Sequence, residues 1–273
     1  MNRVAVILPV YINDRVEFLQ QAVESIILQT YKAYHLCIGV DGPVNDDLGE
    51  YLRSIETQPK VTVVRYKENR GLARVLNDLL ELCLKNDYEY IARMDADDIS
   101  LPDRFEKQLR YLQEHEEIDV VGGAIDEIDE KGMRRDKVIA YPQTPEECRR
   151  FFAYRNPHAH PAVMFRRSFF ERTGIRYRPE YRQNQDTMLW YDGMMAGTKH
   201  ANIPDVVLQF RMTDALFKKR RNGWAFAKKQ LQDRLMINRS LGYGIKADLF
   251  GYAMFLLLIS PAWLKKIAYR CLR

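Results

Sequence analysis

Short apolar runs alternate with amphipathic segments along the first third of the chain. The runs have the length of strands and are rich in β-branched residues, and the segments between them place apolar residues at helical spacing. Strand–helix alternation of this kind predicts an α/β fold with a mainly parallel central sheet and helices on both faces. The predicted strands are Arg3–Val10, His35–Val40, Val61–Tyr66 and Tyr90–Met94, and the predicted helices are 15–30, 46–56 and 72–84.

Polar residues mark where two helices begin. Asp14, with a glutamate three residues later, has the capping-box pattern at the start of the first helix. Thr144 has the same pattern with proline at the first helical position, which predicts a helix to about Arg155. The charged segment 126–137 before it predicts a hairpin or a loop. The remaining predictions are helices from about Pro102 to residue 116 and after Asp186, and strands at Asp119–Gly123 and Ile203–Arg211.

The fourth predicted strand ends in three acidic residues, Asp95, Asp97 and Asp98. Open α/β sheets bind ligands at the carboxyl ends of their strands. Three carboxylates crowded at such an end repel one another unless a cation or hydrogen-bond donors compensate them. We therefore expect a divalent metal ion there, holding an anionic ligand, and the alternative is a solvated acidic turn.

Three other strand ends meet the acidic residues at the same edge of the predicted sheet. They are Tyr11, Asp41 and the segment 69–71, and their convergence favours the metal site over the acidic turn. The chain has no Gly-x-Gly-x-x-Gly after its first strand and no Walker Gly-Lys-Ser/Thr. This disfavours a Rossmann dinucleotide site and a P-loop, so a phosphate group here would need a metal ion.

Two further candidates lie in the second half of the chain. His158 and His160 could suggest a zinc site, but no third ligand lies nearby in the sequence. This favours a His160 that lies before a strand and faces the site. Asp186 begins a predicted helix, where it is either a simple N-cap or a general base held at the helix end.

Cysteine spacing indicates the redox compartment. The four cysteines, Cys37, Cys83, Cys148 and Cys271, are far apart and form no Cys-x-x-Cys. This pattern is typical of reduced thiols in a cytosolic protein, with neither a disulfide framework nor a cysteine-bound zinc ion.

Charge divides the chain in two. Residues 217–273 carry a net charge of +11, from 13 lysines and arginines against two aspartates, and the remainder carries −6. We therefore predict a globular domain over 1–216 and a basic, amphipathic helical extension over 217–273. An anionic membrane surface and nucleic acid are the partners that such a tail suits.

The extension contains an uncharged run over 249–264, followed by Lys265 and Lys266. The run has 16 residues with an internal proline, which is short for a membrane-spanning helix of about 20 residues. It favours an anchor in the membrane interface, with Trp263 at the headgroup level and the basic residues on anionic lipid. A helix docked on the body is the alternative, and nucleic-acid binding is disfavoured.

With these motifs in order, the chain resembles the family 2 glycosyltransferases of the GT-A fold, the inverting enzymes that build bacterial polysaccharides. The likeness covers about residues 3–211 and depends on the ordered set rather than on any one motif. The motifs are Pro9-Val10-Tyr11, Ser25–Tyr31, Asp41-Gly42, Asn69-Arg70-Gly71-Leu72-Ala73 with Asn77, Ala92–Asp98, Pro102-Asp103-Arg104, His160–Met164 and Gln185-Asp186.

The resemblance implies a role for each matching residue. Asp186 takes the position of the catalytic base, although Gln185 stands where the family usually has a glutamate and lacks its negative charge. Asp95 and Asp97 form the Asp-x-Asp motif that binds Mn²⁺ or Mg²⁺, with Asp97 the direct ligand and Asp98 in support. The residues implied in binding the nucleotide sugar are Pro9, Val10, Tyr11, Asp41, Arg70, Gly71, Asn77, Asp95 and Ala96.

The implied activity is metal-assisted transfer of a sugar, with inversion, from a nucleoside-diphosphate sugar such as a UDP-sugar to a glycan or lipid-linked acceptor. The expected location is the cytoplasm, on the inner face of the cytoplasmic membrane, and no nucleic acid is expected as a partner. A sugar nucleotidyltransferase is disfavoured because no glycine-rich phosphate loop follows the first strand. A membrane-bound sugar-nucleotide-binding subunit with weakened catalysis is the alternative, and Gln185 is its only support.

Overall fold

The computed structural model describes residues 3–213 and 223–260. Nine strands of this part of the chain form one sheet, which helices cover on both faces. The strands are β1 (Val4–Val10), β2 (Tyr34–Val40), β3 (Val61–Arg65), β4 (Tyr90–Arg93), β5 (Ile99–Ser100), β6 (Val120–Ile128), β7 (Arg134–Ile139), β8 (Met164–Arg166) and β9 (His200–Arg211). The helices are α1 (Val16–Ile27), α2 (Asp46–Glu56), α3 (Leu72–Leu84), α4 (Arg104–Glu114), α5 (Pro145–Phe152), α6 (Arg167–Thr173), α7 (Gln185–Met195), α8 (Trp224–Leu241) and α9 (Ile245–Ile259).

The periodic segments at the start of the chain form the elements predicted for them. Helix α3 begins and ends at the predicted residues, Leu72 and Leu84, because its apolar side chains recur at helical spacing and are buried on one face. Strand β6 runs beyond the predicted Gly123 to Ile128 and forms a hairpin with β7 in the charged segment. The short elements β5 and α6 were not predicted, since neither is long enough to show a period.

The sheet has the order β3-β2-β1-β4-β8-β6-β9-β5, with β7 paired to β6. Strands β3, β2, β1 and β4 are parallel, and so are β6 and β9. Strand β8 runs antiparallel to both β4 and β6, and β5 runs antiparallel to β9. Parallel pairing therefore holds for the first four strands, whose carboxyl ends meet at one edge, and the sheet as a whole is mixed.

Strand β1 is apolar at every position because both of its faces are buried. Val4, Val6 and Leu8 pack with α1, α2 and α4 in one core. Ala5 and Ile7 pack on the opposite face, in a second core with α3, α6, α7 and α8. The end of β1 is therefore fixed between two cores, which makes it a rigid border for the strand-end edge.

The C-terminal extension docks on the body through α8. Ile237 and Leu241 of α8 are buried in the second core. Helix α9 lies along α8, where Gly251 packs against the side chain of Arg234. Helix α8 is therefore docked on the body, and α9, which contains residues 249–259 of the uncharged run, lies against it. Trp263, the basic residues after it, Cys271 and the predicted boundary at residues 216 and 217 lie outside the described residues.

No helix within the described ranges has both the length and the apolar character needed to cross a bilayer. Three of the predicted thiols, Cys37, Cys83 and Cys148, are buried and free of disulfide bonds. Burial raises the pKa of Cys148 to about 12. The thiolate form of this residue is therefore negligible at neutral pH.

One predicted helix cap is wrong and the other is confirmed. The N-cap of α1 is Arg15 rather than Asp14, and no side chain caps that helix. The Asp14 carboxylate instead accepts the backbone N–H of Tyr11 at 2.8 Å, because the chain turns back on itself after β1. Thr144 and Glu147 form both halves of the capping box of α5.

Candidate active site

The loop that follows β3 is built on the carboxylate of Asp41, which comes directly after β2. One carboxylate oxygen accepts the backbone N–H of Arg70 at 2.6 Å, and the other accepts that of Gly71 at 3.0 Å. Gly42 has φ +85°, and a Cβ there would lie 2.7 Å from the backbone nitrogen of Asn69. Only glycine permits this approach. Asp41 and Gly42 together therefore fix the loop that carries Arg70 and Gly71.

The end of β1 borders the same loop. Val10 accepts the backbone N–H of Asp41 at 2.7 Å, so Pro9, Val10 and Tyr11 lie beside it. The Arg70 guanidinium forms a 2.5 Å ion pair with Asp78 of α3. The residues predicted to bind the nucleotide from the first three strands therefore lie along one edge of the sheet.

The three acidic residues after β4 also lie together at this edge. Carboxylate oxygens of Asp95, Asp97 and Asp98 come within 4.8 Å of one another. Burial, followed by repulsion from Asp95, raises the pKa of Asp97 to about 6. Burial and then the two neighbouring carboxylates raise the pKa of Asp98 well above its usual range. Ala96 is buried between them, where its small side chain lets the turn close tightly.

Two buried arginines hold this acidic turn in place. The Arg93 guanidinium forms an ion pair with Asp95. Arg211, the last residue of β9, donates its backbone N–H to Asp98 and its Nε–H to the carbonyl oxygen of Asp97, both at 2.8 Å. Its other guanidinium nitrogens reach α1 and the turn between β6 and β7. The turn is therefore fastened to both halves of the sheet.

The donor set of the acidic turn fits a hard divalent cation. All three groups are carboxylates, and oxygen ligands are the ones that Mg²⁺ and Mn²⁺ prefer. Burial first, and then mutual repulsion of the carboxylates, raises the pKa values of Asp97 and Asp98, and a cation bound there would relieve that repulsion. Asp98 is only 1% exposed. Asp95 and Asp97 are therefore better placed to contact an ion, and Asp98 supports the turn.

Asp186 is the second residue of α7, and its carboxylate faces a neighbouring loop. Its Oδ2 accepts a hydrogen bond from the side-chain amide of Asn156 at 2.9 Å. The Thr187 hydroxyl donates to Oδ1 of the same Asn156 side chain at 3.1 Å. The N-cap is Asn184, at φ +61°, and it is the one non-glycine residue with positive φ in the described chain. The simple N-cap interpretation of Asp186 is therefore wrong.

Tyr177, in the segment before α7, is buried. Burial raises the pKa of Tyr177, Arg93 opposes that rise, and the carboxylates of Asp186 and Asp95 both add to it. The Tyr177 hydroxyl is 2.8 Å from Nε2 of His160. The prediction that His160 faces the site stays a prediction.

Asn77, on α3, holds the backbone of Tyr177. Its side-chain amide donates to the Tyr177 carbonyl oxygen and accepts the Tyr177 N–H, both at 2.8 Å. This pair of hydrogen bonds joins the first half of the chain to the segment before α7. The predicted contact of Asn77 with the nucleotide stays a prediction, and its observed contacts make it a positioning residue.

His158 and His200 form a buried pair beside α7. Nε2 of His158 lies 3.2 Å from Nδ1 of His200, and its Nδ1 lies 2.9 Å from the Asn202 side chain. Burial lowers the pKa of His158 to about 4 and that of His200 well below its usual range. Both rings are therefore neutral near pH 7, and both pack edge-on against Trp190 of α7. The pair supports the helix that carries Asp186.

Sequence patterns did not point to Arg93, Arg211, Asn156 or Tyr177. A charged residue inside an apolar strand is the signal that could have found Arg93, since buried charges need a partner. Nothing local marks Asn156 or Tyr177, because their partners lie far away in the chain.

The fold and the composition of this edge define a class of protein. The structure resembles that of TarS from S. aureus in complex with UDP-GlcNAc, with a TM-score of 0.67 and 14% sequence identity, over 87% of this chain and 66% of that chain. It also resembles the mannosyltransferase PcManGT from Pyrobaculum calidifontis in complex with GDP-Man and Mn²⁺, with a TM-score of 0.57 and 18% identity, over 99% and 81% of the two chains. The chain therefore has the GT-A fold.

The chain belongs to glycosyl transferase family 2, whose model matches residues 5–174. The amylovoran biosynthesis glycosyltransferase AmsE of Erwinia amylovora is 34% identical over 228 residues, covering 84% of this chain and 83% of that protein. The UDP-Gal:alpha-D-GlcNAc-diphosphoundecaprenol beta-1,3-galactosyltransferase of Escherichia coli is 26% identical over 237 residues, covering 84% and 80%. The predicted family and fold are confirmed. The family match includes the acidic turn and ends before Asp186.

Proposed function

We propose that the protein transfers a sugar from a nucleoside-diphosphate sugar, most simply a UDP-sugar, to a hydroxyl group of a glycan or lipid-linked acceptor, with inversion at the anomeric carbon. One observation carries the proposal: in a chain of glycosyl transferase family 2, the carboxylates of Asp95, Asp97 and Asp98 lie together at the same strand-end edge as the loop built on Asp41. A single displacement needs a leaving group held on one side of the sugar, which this cluster suits, and a base on the other side, for which we propose Asp186.

Asp95 and Asp97 are the proposed ligands of Mn²⁺ or Mg²⁺. The ion, when bound, neutralises the negative charge that develops on the departing diphosphate. Arg93 pairs with the Asp95 carboxylate, and Arg211 binds the backbone carbonyl oxygen of Asp97 and the carboxylate of Asp98, so both arginines hold the turn from its buried side. The loop built on Asp41 and the end of β1 are the proposed contacts of the nucleotide, because they border the acidic turn along the same edge.

Asp186 is the proposed base. An alcohol is a poor nucleophile while it keeps its proton, and the base takes that proton as the oxygen bonds to the anomeric carbon. The amide of Asn156 donates to one carboxylate oxygen and so fixes the plane of the carboxylate. Gln185 beside it is neutral and so adds no negative charge next to the base.

The two named relatives suggest the class of acceptor. The name of AmsE refers to amylovoran biosynthesis, and that of the E. coli enzyme refers to a sugar carried on diphosphoundecaprenol. We extend only the class to this chain, as a role in the synthesis of a cell-surface polysaccharide. A lipid-linked acceptor lies in a membrane, so the proposal includes attachment to the inner face of the cytoplasmic membrane.

Helix α9 suits that attachment. Apolar residues at helical spacing along its outer face are 39 to 74% exposed, although the rest of the helix packs against α8. A continuous apolar stripe of this kind is typical of a helix that lies in the membrane interface. The residues of the α9 stripe are Ile245, Leu249, Tyr252, Leu256 and Ile259.

The attachment is tested by sedimentation with vesicles that contain about one third anionic lipid. The double variant Leu249→Ser and Leu256→Ser should bind about tenfold more weakly or worse, since each leucine loses apolar area that the membrane would bury. Leu28→Ser is the matched control, because Leu28 is 59% exposed on the body. Equal binding of all three proteins would remove the α9 stripe as the anchor.

The transfer reaction is tested with the purified chain, a panel of nucleotide sugars, Mn²⁺ and lipid-linked acceptors extracted from membranes. We expect a product whose new glycosidic bond has the opposite anomeric configuration to the donor, as determined by NMR. Retention of configuration would contradict the single displacement. Turnover that is unchanged by a chelator would contradict the metal-assisted departure.

A second candidate is a sugar-nucleotide-binding subunit with weakened catalysis, which Gln185 favours. It predicts that a sugar nucleotide binds in a metal-dependent way. It also predicts that neither transfer nor slow hydrolysis of the sugar nucleotide occurs under any of these conditions. Gln185→Glu would then be expected to restore turnover. Measurable transfer by the unaltered chain excludes this candidate.

A further inference from the structure

We infer that the C-terminal extension, helices α8 and α9, is a positioning element of the active site. It holds from two sides the segments that carry Asp186 and its partner Asn156. The inference rests on the proposed role of Asp186 as the base. The inferred positioning residues lie outside the site itself. They belong to the part of the chain that its charge and composition had led us to predict as a membrane anchor.

The first side is a polar cluster between α8 and the segment before α7. The Tyr181 hydroxyl donates to Oδ1 of Asp233 at 3.1 Å, and the Lys229 ammonium group donates to the same oxygen at 2.5 Å. Lys229 also donates to the Tyr181 hydroxyl at 3.0 Å and lies over its ring, 4.4 Å from the centroid. Tyr181, Lys229 and Asp233 therefore form a closed triangle, which we call the α8 latch.

The α8 latch acts close to the base. Tyr181 lies five residues before Asp186, and Asn184 between them is in the left-handed conformation. The start of the same segment is fixed to α7 by Arg178, whose Nε and Nη2 pair with the Asp192 carboxylate at 2.8 and 2.5 Å. The segment is thus tied to α7 at one end and to α8 in the middle, so the latch sets the path of the backbone into the first turn of α7.

The second side lies against the segment that carries Asn156. Nη1 of Arg234, on α8, donates to the carbonyl oxygen of Phe152 at 2.5 Å. Phe250, on α9, meets Tyr154 edge to face, with ring centroids 5.3 Å apart. Asn156 follows two residues later and donates to Asp186. The extension therefore contacts both segments whose relative position defines the Asn156–Asp186 hydrogen bond.

The chemistry of these contacts distinguishes positioning from simple coverage of a core. A helix that only covers apolar surface needs apolar side chains, as α8 supplies with Ile237 and Leu241. The Asp233 carboxylate is 7% exposed, and burial of a charge costs free energy unless it is paired. Its cation, Lys229, comes from α8 itself, and the Tyr181 hydroxyl adds a hydrogen bond from the segment before α7, so the polar contact joins the two elements.

The α8 latch is tested with Lys229→Met and Tyr181→Phe in the full chain, and Lys228→Met is the matched control. Lys228 precedes Lys229 and is exposed, so its loss removes the same charge without opening the latch. We expect hydrogen exchange of peptide 178–187 to become about tenfold faster in the two latch variants and to stay unchanged in the control. The exchange of β1 should stay close to that of the unaltered chain in both variants. The melting temperature should stay close to it in Tyr181→Phe and fall in Lys229→Met, which leaves the buried Asp233 carboxylate without its cation.

Kinetics supply the second readout. In the latch variants kcat for transfer should fall about tenfold, while KM for the sugar nucleotide stays within twofold, because the donor binds at the other half of the site. Phe250→Leu should lower kcat in the same way, and Phe255→Leu is its control, since Phe255 packs on Trp224 within the extension. An unchanged kcat in all variants would overturn the inference, whether or not the exchange rates change.

Failure of the proposed function gives a different result. If Asp186→Asn keeps full transfer activity, the base is elsewhere and both proposals fall. If Asp186→Asn abolishes transfer and the latch variants keep full kcat and slow exchange, only the positioning role of the extension falls. Faster exchange of peptide 178–187 together with lower kcat, with the exchange of β1 unchanged and with Tyr181→Phe melting at the usual temperature, is the result that supports it.

Discussion

The two halves of the candidate site are built in different ways. The metal half, around Asp95 and Asp97, lies at strand ends, and backbone topology brings its residues together. The base half, around Asp186, lies between loops, and side chains from distant parts of the chain hold it through Asn77, Asn156 and the α8 latch. The sheet topology by itself therefore brings the residues of the metal half together, whereas the base half depends on a few specific side-chain contacts.

The two halves also differ in charge. The metal half is held by buried cations, Arg93 and Arg211, which remain protonated at any physiological pH. The base half is held in large part by neutral groups, among them Tyr177 and the paired rings of His158 and His200. Mild acid should therefore disturb the base half through its histidines.

The largest effect is expected from Asp186→Asn. Loss of a general base lowers the rate of transfer by about 10²- to 10⁴-fold. Asparagine keeps the size of the side chain, so the fold should survive, which a thermal melt would check. Asp205→Asn, at an exposed position on β9, is the control. Full transfer activity in Asp186→Asn would mean that another residue is the base. The division of the site into a metal half and a base half around Asp186 would then be wrong.

The next effect is on stability, at the metal half. Arg211→Met removes the side-chain hydrogen bonds that fasten the acidic turn and should lower the free energy of unfolding by about 3 kcal/mol, as the loss of a buried charged partner does. Urea unfolding would measure it. Arg110→Met, on the exposed face of α4, should change stability little. Equal effects of the two variants would mean that Arg211 does not hold the turn.

Asp97→Asn should weaken Mn²⁺-dependent binding of the sugar nucleotide by about a hundredfold, because changes even behind metal ligands cost 10- to 100-fold in affinity. In the presence of a chelator, the unaltered chain should bind the sugar nucleotide as weakly as Asp97→Asn does. Calorimetric titration with and without Mn²⁺ would measure both. Metal-dependent binding that survives in Asp97→Asn would exclude this residue as a ligand.

A smaller effect follows from the buried histidines. Burial lowers the pKa of His158 to about 4, so between pH 6.5 and 4 the unfolded chain binds a proton that the folded chain does not. Stability should therefore fall as the pH falls, by about 2 kcal/mol at pH 5 for this residue alone. Comparing the unfolding free energies of the unaltered chain and His200→Gln at pH 7 and 5 should show a flatter dependence in the variant.

His115→Gln is the control for that measurement, because His115 is half-exposed at the end of α4. Its pH dependence should match that of the unaltered chain. If His200→Gln keeps the full dependence on pH as well, the acid sensitivity does not come from the buried pair.

The metal half could be placed from the sequence for a physical reason. Asp41 and Asp95 follow apolar strands, and parallel strands must bring their carboxyl ends to one edge. The period of α3 likewise fixed its bounds, from Leu72 to Leu84. A strand was expected after His160, but the antiparallel direction of β8 could not be predicted, because it depends on the turn before the strand.

The base half could be predicted only in part. The family resemblance placed Asp186, but no local pattern relates Asn156 to it or Tyr181 to Asp233. Such pairs depend on the three-dimensional path of the chain, and their side chains are of types that usually face solvent. The extension illustrates the same limit, since its charge suggested a separate tail and its helix α8 is part of the second core.

The most direct test of the two-part site is calorimetric titration of a sugar nucleotide into the Asp186→Asn variant, with and without Mn²⁺. The account predicts a Kd within about twofold of the unaltered chain when Mn²⁺ is present, together with the loss of transfer, because the donor is held by the metal half alone. Binding that is lost in Asp186→Asn, or that does not depend on Mn²⁺ in either protein, would contradict it.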